Sequence, residues 1–321
     1  MERIALLASG GDAPGMNACI RAVVRTACGA KLTVFGVRRG YTGLCNGDIV
    51  EMDHRSVSNI IQLGGAILES SRCDEFHTKE GRARAIAAMR EKEIDGLVAI
   101  GGDGTFRGAM ALMAECDVHI VGCPGTIDND LYGTDFTIGY DTAVNTALEA
   151  IDRIRDTAST MERLFIVEVM GRHAGFIALQ VAIAGGAEGV LLPETASDTQ
   201  AFYRHFEKGL QAGKRTNIVV VAEGDETGGA YNVAAKLKDL YGIKSWVTIL
   251  GHIQRGGSPT ARDRVLASKL GAAAVFALKE GRSGIMVGEI DGEVVYTPFN
   301  EVVNLHKPLD SFELKLTDIL T

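Results

Sequence analysis

Two short polar strings in this chain each follow an apolar run that is typical of a buried strand. They are Gly101-Gly102-Asp103-Gly104-Thr105 and Pro124-Gly125-Thr126-Ile127-Asp128-Asn129-Asp130. The glycines of the first string let backbone N–H groups approach phosphate oxygens, and the Asp103 carboxylate can hold a divalent cation. The second string supplies two carboxylates, a hydroxyl and an amide, which suffice for a base, an orienting group and a phosphate contact. Together the strings indicate phosphoryl transfer from a nucleotide–Mg²⁺ complex to a hydroxyl group.

Each string also has an ordinary structural interpretation. Asp128 and Asp130 would fit a simple Asx turn, although the preformed Pro124-Gly125-Thr126 loop before them favours a functional role. The GGDGT string, like the similar Ser9-Gly10-Gly11-Asp12 string, would fit a common strand-to-helix turn. Neither is a Walker A motif, and no G-x-G-x-x-G fingerprint follows the first apolar run.

Two further polar turns carry side chains that suit an anionic ligand. Arg172 follows Met170-Gly171 directly after an apolar run, where its guanidinium would meet charge on a phosphoryl group. His252 and Arg255 lie in the glycine-rich segment 251–257, and the arginine there favours ligand binding over a purely structural histidine. Arg21 and Arg25 are one helical turn apart, which by itself predicts a solvated helix face.

Strand-like and helix-like segments alternate along the chain. We predict strands at residues 4–8, 32–37, 96–100, 118–123, 164–170, 218–222 and 247–250. We predict helices from residue 12 to about 28, at residues 82–92, directly after the GGDGT turn, and at residues 140–156, 175–184 and 262–278. This alternation predicts an α/β protein with mainly parallel, buried sheets. Sites in such sheets lie beyond the carboxyl ends of the strands, which is where the polar turns occur.

The composition excludes several classes of protein. The chain has 321 residues, of which 46% are hydrophobic and 23% charged, as is typical of a globular protein. The net charge of −8 argues against nucleic acid or an anionic membrane as the main partner. The N-terminus lacks signal-peptide features, and no run is long and apolar enough to span a bilayer. The six cysteines form no Cys-x-x-Cys motif, so we expect reduced thiols and a cytoplasmic location. The seven histidines include no pair spaced three or four residues apart, so we expect no zinc site.

Taken together, these strings resemble the bacterial ATP-dependent 6-phosphofructokinases over nearly the whole chain. The resemblance rests on SGGDAPGMNA (9–18), GGDGT, PGTIDND, EAIDRIRDT (149–157), VEVMGRHAG (167–175), AIAGG (182–186) and LGHIQRGGSP (250–259). NAD kinases and lipid kinases use a string similar to GGDGT, whereas the whole series in this order is specific.

The resemblance implies a homotetramer of subunits with two Rossmann-like α/β/α domains, mainly parallel sheets and an active site in the cleft between the domains. The larger, ATP-binding domain would comprise residues 1–138 and 251–304. The smaller, sugar-phosphate-binding domain would comprise residues 139–250 and 305–321.

The resemblance also implies a reaction and a role for each site residue. A phosphoryl group would pass from ATP, with Mg²⁺, to the 1-hydroxyl of fructose 6-phosphate. Asp128 would be the general base beside Asp130, Thr126 and Arg172 would steady the phosphoryl group, and Asp103 would bind Mg²⁺. The ATP site would be lined by Gly11, Arg72, Cys73, Gly102, Asp103, Gly104 and Thr105. The sugar phosphate would be bound by Thr126, Asp128, Arg163, Met170, Gly171, Arg172, Glu223, His252 and Arg255, with Arg163 reaching across a subunit interface.

Two glycines indicate the phosphoryl donor. In the pyrophosphate-dependent relatives an aspartate stands at the position of Gly104 and a lysine at the position of Gly125. A carboxylate at position 104 would repel and crowd the α-phosphate of a nucleotide. Glycine at both positions therefore favours ATP.

The chain departs from the family pattern at the sugar phosphate. The family usually has a second cross-subunit arginine six residues before the histidine of GHIQRGG, and Trp246 stands there, with Lys244 nearby. A lost charge-assisted hydrogen bond to phosphate costs about 1.5–3 kcal/mol. We therefore expect weak affinity for fructose 6-phosphate or a preference for another sugar phosphate.

A second departure concerns regulation. Arg21, Arg25, Arg155, Gly186, Glu188, Lys214 and Arg215 match the family's site for the effectors ADP and phosphoenolpyruvate. His54, Asn59, Ala212 and Thr216 differ from the best-known pattern, and Arg55 is a candidate replacement for a charge at His54.

Three alternatives remain at this point. The same fold and mechanism would serve another acceptor such as tagatose 6-phosphate. An NAD kinase would share GGDGT, although PGTIDND and GHIQRGG argue against it. A non-catalytic nucleotide-sensing subunit would be expected to lose Asp103, Asp128 or Arg172, all of which are present.

Overall fold

A computed structural model describes residues 1–161, 164–198 and 217–320, together with residues 204, 207, 208 and 211. The chain divides into two compact units. The first unit comprises Met1–Ile127, Leu131–Thr142 and Arg255–Lys307. The second unit comprises Asp128–Asp130, Ala143–Gln254 and Pro308–Thr321.

A seven-stranded sheet forms the centre of the first unit. In chain order its strands are β1 (Arg3–Ala8), β2 (Thr33–Val37), β3 (Ile49–Met52), β4 (Gly96–Gly101), β5 (His119–Pro124), β10 (Ile285–Ile290) and β11 (Glu293–Pro298). Their spatial order is β11-β10-β5-β4-β1-β2-β3, and only the outer pairs β2–β3 and β10–β11 are antiparallel. The central strands β1, β4 and β5 are buried and lack polar side chains except at the first residues of β1 and β5, Arg3 and His119, because helices cover both faces of a parallel sheet.

Helices of the first unit pack on this sheet. They are α1 (Met16–Gly29), α2 (Gly40–Asn46), α3 (Lys79–Glu91), α4 (Asp103–Met113), the start of α5 (Tyr140–Met161), α8 (Ala261–Lys279) and α9 (Phe299–Asn304), with a 3-10 turn at Asp74–His77. Phe106 of α4 stacks on Phe299 of α9 with ring centroids 5.1 Å apart, inside the buried core. Helix α1 packs closely on α8, since a Cβ built on Gly271 would lie 2.8 Å from the Cys19 carbonyl oxygen.

The second unit has a four-stranded parallel sheet of β6 (Leu164–Val169), β7 (Gly189–Leu191), β8 (Asn217–Ala222) and β9 (Ser245–Ile249), in the order β7-β8-β6-β9. Its helices are most of α5, α6 (Phe176–Gly185), α7 (Ala230–Tyr241) and α10 (Ser311–Leu320), with 3-10 turns at Pro193–Asp198 and Gly251–Arg255. Val233 and Leu237 of α7 pack on apolar side chains of β6 and β8.

The predicted α/β class with mainly parallel sheets is confirmed. Helix α1 begins at Met16 rather than residue 12, because Gly15 in a left-handed conformation precedes it (φ 107°) and Asp12–Pro14 remain outside the helix. The prediction missed α2, β3, β7, α7, β10, β11, α9 and α10.

The unit boundaries differ from the predicted domain boundaries by a few residues. Residues 139–142 lie in the first unit, because the Asp263 carboxylate accepts hydrogen bonds from the backbone N–H groups of Gly139 and Thr142, each at 2.8 Å. Residues 251–254 lie in the second unit, because Gln254 Oε1 accepts a hydrogen bond from the Met170 N–H at 2.8 Å. Residues 128–130 join the second unit and residues 305–307 the first.

Among the residues that the structure describes, no helix combines the length and the apolar character needed to cross a membrane.

Candidate active site

The GGDGT string forms the turn between β4 and α4 in the first unit. Gly102 is the N-cap of α4 and Asp103 is its first residue. A side chain cannot fit at Gly101, where a Cβ would lie 2.2 Å from Thr105 Oγ1 and 2.6 Å from the Ser9 carbonyl oxygen. At Gly104 a Cβ would meet no atom within 4 Å. The first N–H groups of a helix have no partner within the helix, so this glycine-rich turn can donate hydrogen bonds to phosphate oxygens.

Buried hydrogen bonds hold this turn in place. Thr105 is 3% exposed, and its hydroxyl donates to the Ser9 carbonyl oxygen at 3.1 Å. The buried Tyr41 hydroxyl of α2 donates to the Thr105 carbonyl oxygen at 2.7 Å. The predicted ATP residue Thr105 therefore holds the Ser9 turn against α4 with its hydroxyl. Sequence reasoning missed Tyr41 because it missed α2.

Thr126 lies beside the same turn. The Gly125 N–H donates to the Gly101 carbonyl oxygen at 3.0 Å, which ties the end of β5 to the end of β4. The Thr126 Cβ would be 3.9 Å from a Cβ built on Gly102. Thr137 Oγ1 donates to the Thr126 carbonyl oxygen at 2.6 Å, and this hydrogen bond restrains the loop that carries Thr126. Two strings that are distant in sequence thus meet at one edge of the sheet.

Arg255 also belongs to this part of the first unit. A Cβ built on Gly11 would lie 2.8 Å from Arg255 Nη1. The guanidinium therefore lies directly against the Ser9–Asp12 turn. The prediction grouped Arg255 with His252 at the sugar phosphate. Both lie in the 3-10 turn Gly251–Arg255, in which the exposed His252 belongs to the second unit and Arg255 to the first.

The chemistry around Asp103 fits a nucleotide-bound magnesium ion. The Asp103 side chain is half exposed, and the Arg107 Nε lies 3.8 Å from Asp103 Oδ2. Within the described part of the chain no group of three or more His, Cys, Asp or Glu residues could hold a metal ion. One carboxylate suits Mg²⁺, which is usually held by one or two carboxylates with substrate phosphates and waters.

The other two predicted ATP residues precede the 3-10 turn at Asp74–His77. Arg72 is exposed, and its carbonyl oxygen accepts a 3.4 Å hydrogen bond from Thr42 Oγ1. Cys73 is partly exposed and packs on the edge of the core cluster.

Asp128 and Arg172 come together in the second unit. Asp128 is 5% exposed, and the Arg172 Nε lies 4.0 Å from its Oδ2. The Arg172 side chain is 48% exposed, so its charge is partly solvated while the carboxylate is buried. Asp130, two residues further, is partly buried. A buried carboxylate paired with a partly exposed guanidinium can remove a proton at a site that also binds a developing anion.

The turn that carries Arg172 is tightly constrained. Arg172 itself has a left-handed backbone (φ 54°), which is uncommon for a residue other than glycine. Its N–H donates to Glu223 Oε2 at 3.4 Å. Only glycine fits at Gly224, where a Cβ would lie 1.7 Å from the Arg172 carbonyl oxygen. The exposed Glu223 thus lies next to Arg172.

Gln254 fixes the start of this turn and was missed by the sequence analysis. It is fully buried, accepts the Met170 N–H at 2.8 Å, and donates from Nε2 to the Ala143 carbonyl oxygen at 3.4 Å. Met170 and Gly171 are themselves buried. The signal was present, because Gln254 lies inside the GHIQRGG string between His252 and Arg255.

The predicted effector residues fall into separate groups. Arg155 Nη2 donates to the carbonyl oxygens of Gly185 and Gly186 at 2.5 and 2.7 Å, and Arg155 Nη1 lies 3.7 Å from Glu188 Oε1. Its cation therefore caps the C-terminus of α6, where the helix dipole favours positive charge. Arg21 and Arg25 lie on α1 in the first unit.

Several predicted positions lie outside the described residues: Arg163, Ala212, Lys214, Arg215 and Thr216. Trp246 is described. It lies on β9, paired with Phe165 of β6, and is 52% exposed.

Comparison with known proteins shows the family. A family model for phosphofructokinase matches residues 3–278. The chain is 58% identical over 320 residues to ATP-dependent 6-phosphofructokinase 1 of Thermus thermophilus, covering 100% of this chain and 99% of the relative. It is 53% identical over 321 residues to the ATP-dependent 6-phosphofructokinase of Cytophaga hutchinsonii, covering 100% and 98%.

Solved structures agree with this result. The T-state phosphofructokinase of Pichia pastoris has a TM-score of 0.88 at 35% identity, covering 94% of this chain and 35% of the Pichia chain. The pyrophosphate-dependent phosphofructokinase of Marinobacter aquaeolei has a TM-score of 0.84 at 24% identity, covering 97% and 86%, and it supports the fold alone. The chain belongs to the phosphofructokinase family.

Proposed function

We propose that this chain transfers the γ-phosphoryl group of ATP to the 1-hydroxyl of fructose 6-phosphate and releases ADP and fructose 1,6-bisphosphate, the committed step of glycolysis. The observation that carries the proposal is the buried Asp128 carboxylate with the Arg172 Nε 4.0 Å away. The full-length relatives named ATP-dependent 6-phosphofructokinase support the same reaction.

Asp128 acts as the general base for the 1-hydroxyl proton, and Asp130 is the second, orienting carboxylate of its loop. Arg172 and Thr126 steady the transferring phosphoryl group. Phosphoryl transfer depends on positioning and charge stabilisation rather than on covalent catalysis. Asp128 must therefore lie within hydrogen-bonding distance of the 1-hydroxyl, and it does not require an unusual pKa.

The nucleotide binds to residues of the first unit: Gly11, Arg72, Cys73, Gly102, Asp103, Gly104 and Thr105. Asp103 would hold Mg²⁺, which neutralises phosphate charge when it is bound with the nucleotide. The open space at Gly104 leaves room for the nucleotide, which supports ATP rather than pyrophosphate as the donor.

The sugar phosphate binds to Met170, Gly171, Glu223 and His252, together with Arg163 and Arg255. The contact between Arg255 and the Gly11 turn supports an additional role for Arg255 beside the nucleotide. A guanidinium there is suited to charge that is shared between donor and acceptor phosphates.

A coupled steady-state assay with Mg-ATP and fructose 6-phosphate tests the proposal, with pyrophosphate and tagatose 6-phosphate as comparison arms. Saturable ATP-dependent turnover of fructose 6-phosphate, and none from pyrophosphate, is expected. No turnover with any sugar phosphate would refute the proposal and favour a non-catalytic nucleotide-sensing subunit.

A second acceptor is suggested by Trp246. It is 52% exposed at the position where the family usually has a phosphate-binding arginine. If only tagatose 6-phosphate is turned over, the proposed phosphoryl-transfer mechanism stands, and Trp246 is associated with a different sugar-phosphate substrate.

We further propose regulation by ADP and phosphoenolpyruvate, a homotetramer and a cytoplasmic location. Arg155 and Glu188, which already lie 3.7 Å apart, support an effector site in the second unit. A flat activity curve across added ADP and phosphoenolpyruvate would contradict this regulation.

A further inference from the structure

Burial is inverted in the 3-10 turn Gly251–Arg255. The apolar side chain of Ile253 is 59% exposed, whereas the polar side chain of its neighbour Gln254 is fully buried. Burying a primary amide costs free energy unless its donor and acceptor groups find partners. A buried amide at this position therefore indicates a role that a leucine or methionine of similar size could not fill.

Two backbone partners fix the orientation of the Gln254 amide. Oε1 accepts a hydrogen bond from the Met170 N–H at 2.8 Å, and Nε2 donates to the Ala143 carbonyl oxygen at 3.4 Å. A backbone N–H only donates and a backbone carbonyl only accepts, so the side chain must supply both an acceptor and a donor. Gln254 thus links the residue that follows β6 to the first turn of α5, and all three residues belong to the second unit.

The linked segments carry two groups that the proposed function assigns to the sugar phosphate and its transferred phosphoryl group. Met170 begins the turn that bears Arg172, and His252 lies two residues before Gln254 in the chain. Arg172 has a left-handed backbone (φ 54°), a conformation that persists only where the surrounding contacts hold it. The hydrogen bond between Met170 and Gln254 therefore joins the segment that carries Arg172 to the segment that carries His252.

We propose that Gln254 is a positioning residue for the phosphorylated sugar: its buried amide keeps Arg172 and His252 in one fixed arrangement, so that both can contact the same ligand. This inference rests on the proposed function, which assigns those two side chains to that ligand. Both hydrogen bonds of the amide go to the second unit, whereas the proposed nucleotide residues belong to the first. Loss of the amide should therefore weaken use of the sugar phosphate and leave ATP binding unchanged.

Gln254→Met removes both hydrogen bonds and keeps a side chain of similar length and volume. The Met170 N–H then loses its acceptor, and the turn with Arg172 is free to shift. A displacement of about 1 Å in a positioning segment can cost on the order of a hundredfold in rate. We expect kcat/KM for fructose 6-phosphate to fall about ten- to a hundredfold, chiefly through a higher KM, with an unchanged KM for ATP.

Gln254→Glu separates the hydrogen bonds from the size of the side chain. An ionised carboxylate still accepts from the Met170 N–H but has no proton to donate to the Ala143 carbonyl oxygen. A protonated carboxyl group has both a donor and an acceptor, and burial favours this neutral form. The rise in KM for fructose 6-phosphate, relative to unchanged protein at the same pH, should therefore shrink as the pH falls from about 8 to about 6.

Three measurements are made on the whole protein and on each variant: the KM for each substrate, the melting temperature, and amide hydrogen exchange of peptides that contain the Met170 N–H. Exchange reports local opening of this turn and does not depend on activity. Leu237→Ala is the matched control, because Leu237 is likewise fully buried in the second unit and packs in the apolar cluster of β6, β8 and α7. The control should lower the melting temperature and leave both KM values unchanged.

We expect Gln254→Met to speed exchange of the Met170 peptides and to raise the KM for fructose 6-phosphate alone. Equal rises in the two KM values, or faster exchange with an unchanged KM for fructose 6-phosphate, would overturn the inference. A defect in Gln254→Glu that is the same at every pH would also overturn it, and this variant decides the question if Gln254→Met does not fold. Absence of turnover by the unchanged protein would count against the proposed function instead, and the exchange comparison would still show whether Gln254 holds the turn.

Discussion

Replacing Asp128 by asparagine separates the proposed base from a binding or folding residue. The amide has almost the same volume, so the buried site stays filled. The lost partner, Arg172, has a side chain that is 48% exposed, so solvent can satisfy its charge. The unfolding free energy should therefore change by less than about 1 kcal/mol, the usual value for a partly exposed ion pair.

The effect on the reaction should be far larger than the effect on folding. A positioned general base contributes about 10²–10⁴ to the rate, or roughly 2.7–5.4 kcal/mol of activation free energy. Asparagine can still accept a hydrogen bond from the sugar hydroxyl, so KM should change little. Asp128→Asn is thus expected to lower kcat by several orders of magnitude with a small change in KM.

The coupled assay with Mg-ATP and fructose 6-phosphate measures both constants, and urea unfolding measures stability. Asp225→Asn is the matched control, since Asp225 is likewise a 5% exposed acid of the second unit and its Oδ1 accepts the Thr227 N–H, as an amide oxygen also can. The control should leave kcat unchanged. Comparable losses in kcat and KM for Asp128→Asn would mean that Asp128 binds substrate rather than removing a proton.

Three further predictions concern other parts of the molecule. Asp263→Ala leaves the buried N–H groups of Gly139 and Thr142 without their acceptor. At about 1–3 kcal/mol for each group, the free energy of unfolding should fall by about 2–6 kcal/mol. An unchanged midpoint of urea unfolding would contradict this expectation. Trp246→Arg should lower the KM for fructose 6-phosphate about ten- to a hundredfold by restoring a charge-assisted phosphate contact; an unchanged KM would count against the interpretation of Trp246. Gly104→Asp should leave the melting temperature nearly unchanged, because a Cβ there meets no atom within 4 Å. The new carboxylate should nevertheless raise the KM for ATP by charge repulsion. A lower melting temperature with an unchanged KM for ATP would contradict both expectations.

The site was predicted best from the sequence where the reactive side chains directly follow the strand that positions them. GGDGT after an apolar run located the turn at the N-terminus of α4, and PGTIDND located Asp128. Helix α2 was missed because it is short and contains Gly40 and Gly43, which are poor helix formers. The β10–β11 hairpin was missed although Asp291-Gly292 is a strong hairpin signal.

Long-range partners could not be predicted from local patterns. No spacing rule places the Arg255 guanidinium against Gly11, or the Asp263 carboxylate on the N–H groups of Gly139 and Thr142. These contacts arise from packing between segments that are far apart in the chain. The Gln254 contact with Met170 is of the same kind, at a sequence separation of 84 residues.

The way in which the chain alternates between its two units has a consequence for dissecting the protein. The PGTIDND string changes unit between Ile127 and Asp128, and the GHIQRGG string changes unit between Gln254 and Arg255. No single cut of the backbone can release either unit whole. A truncation therefore cannot isolate the complete first unit, because its last segment, Arg255–Lys307, follows residues 143–254 of the second unit in the chain.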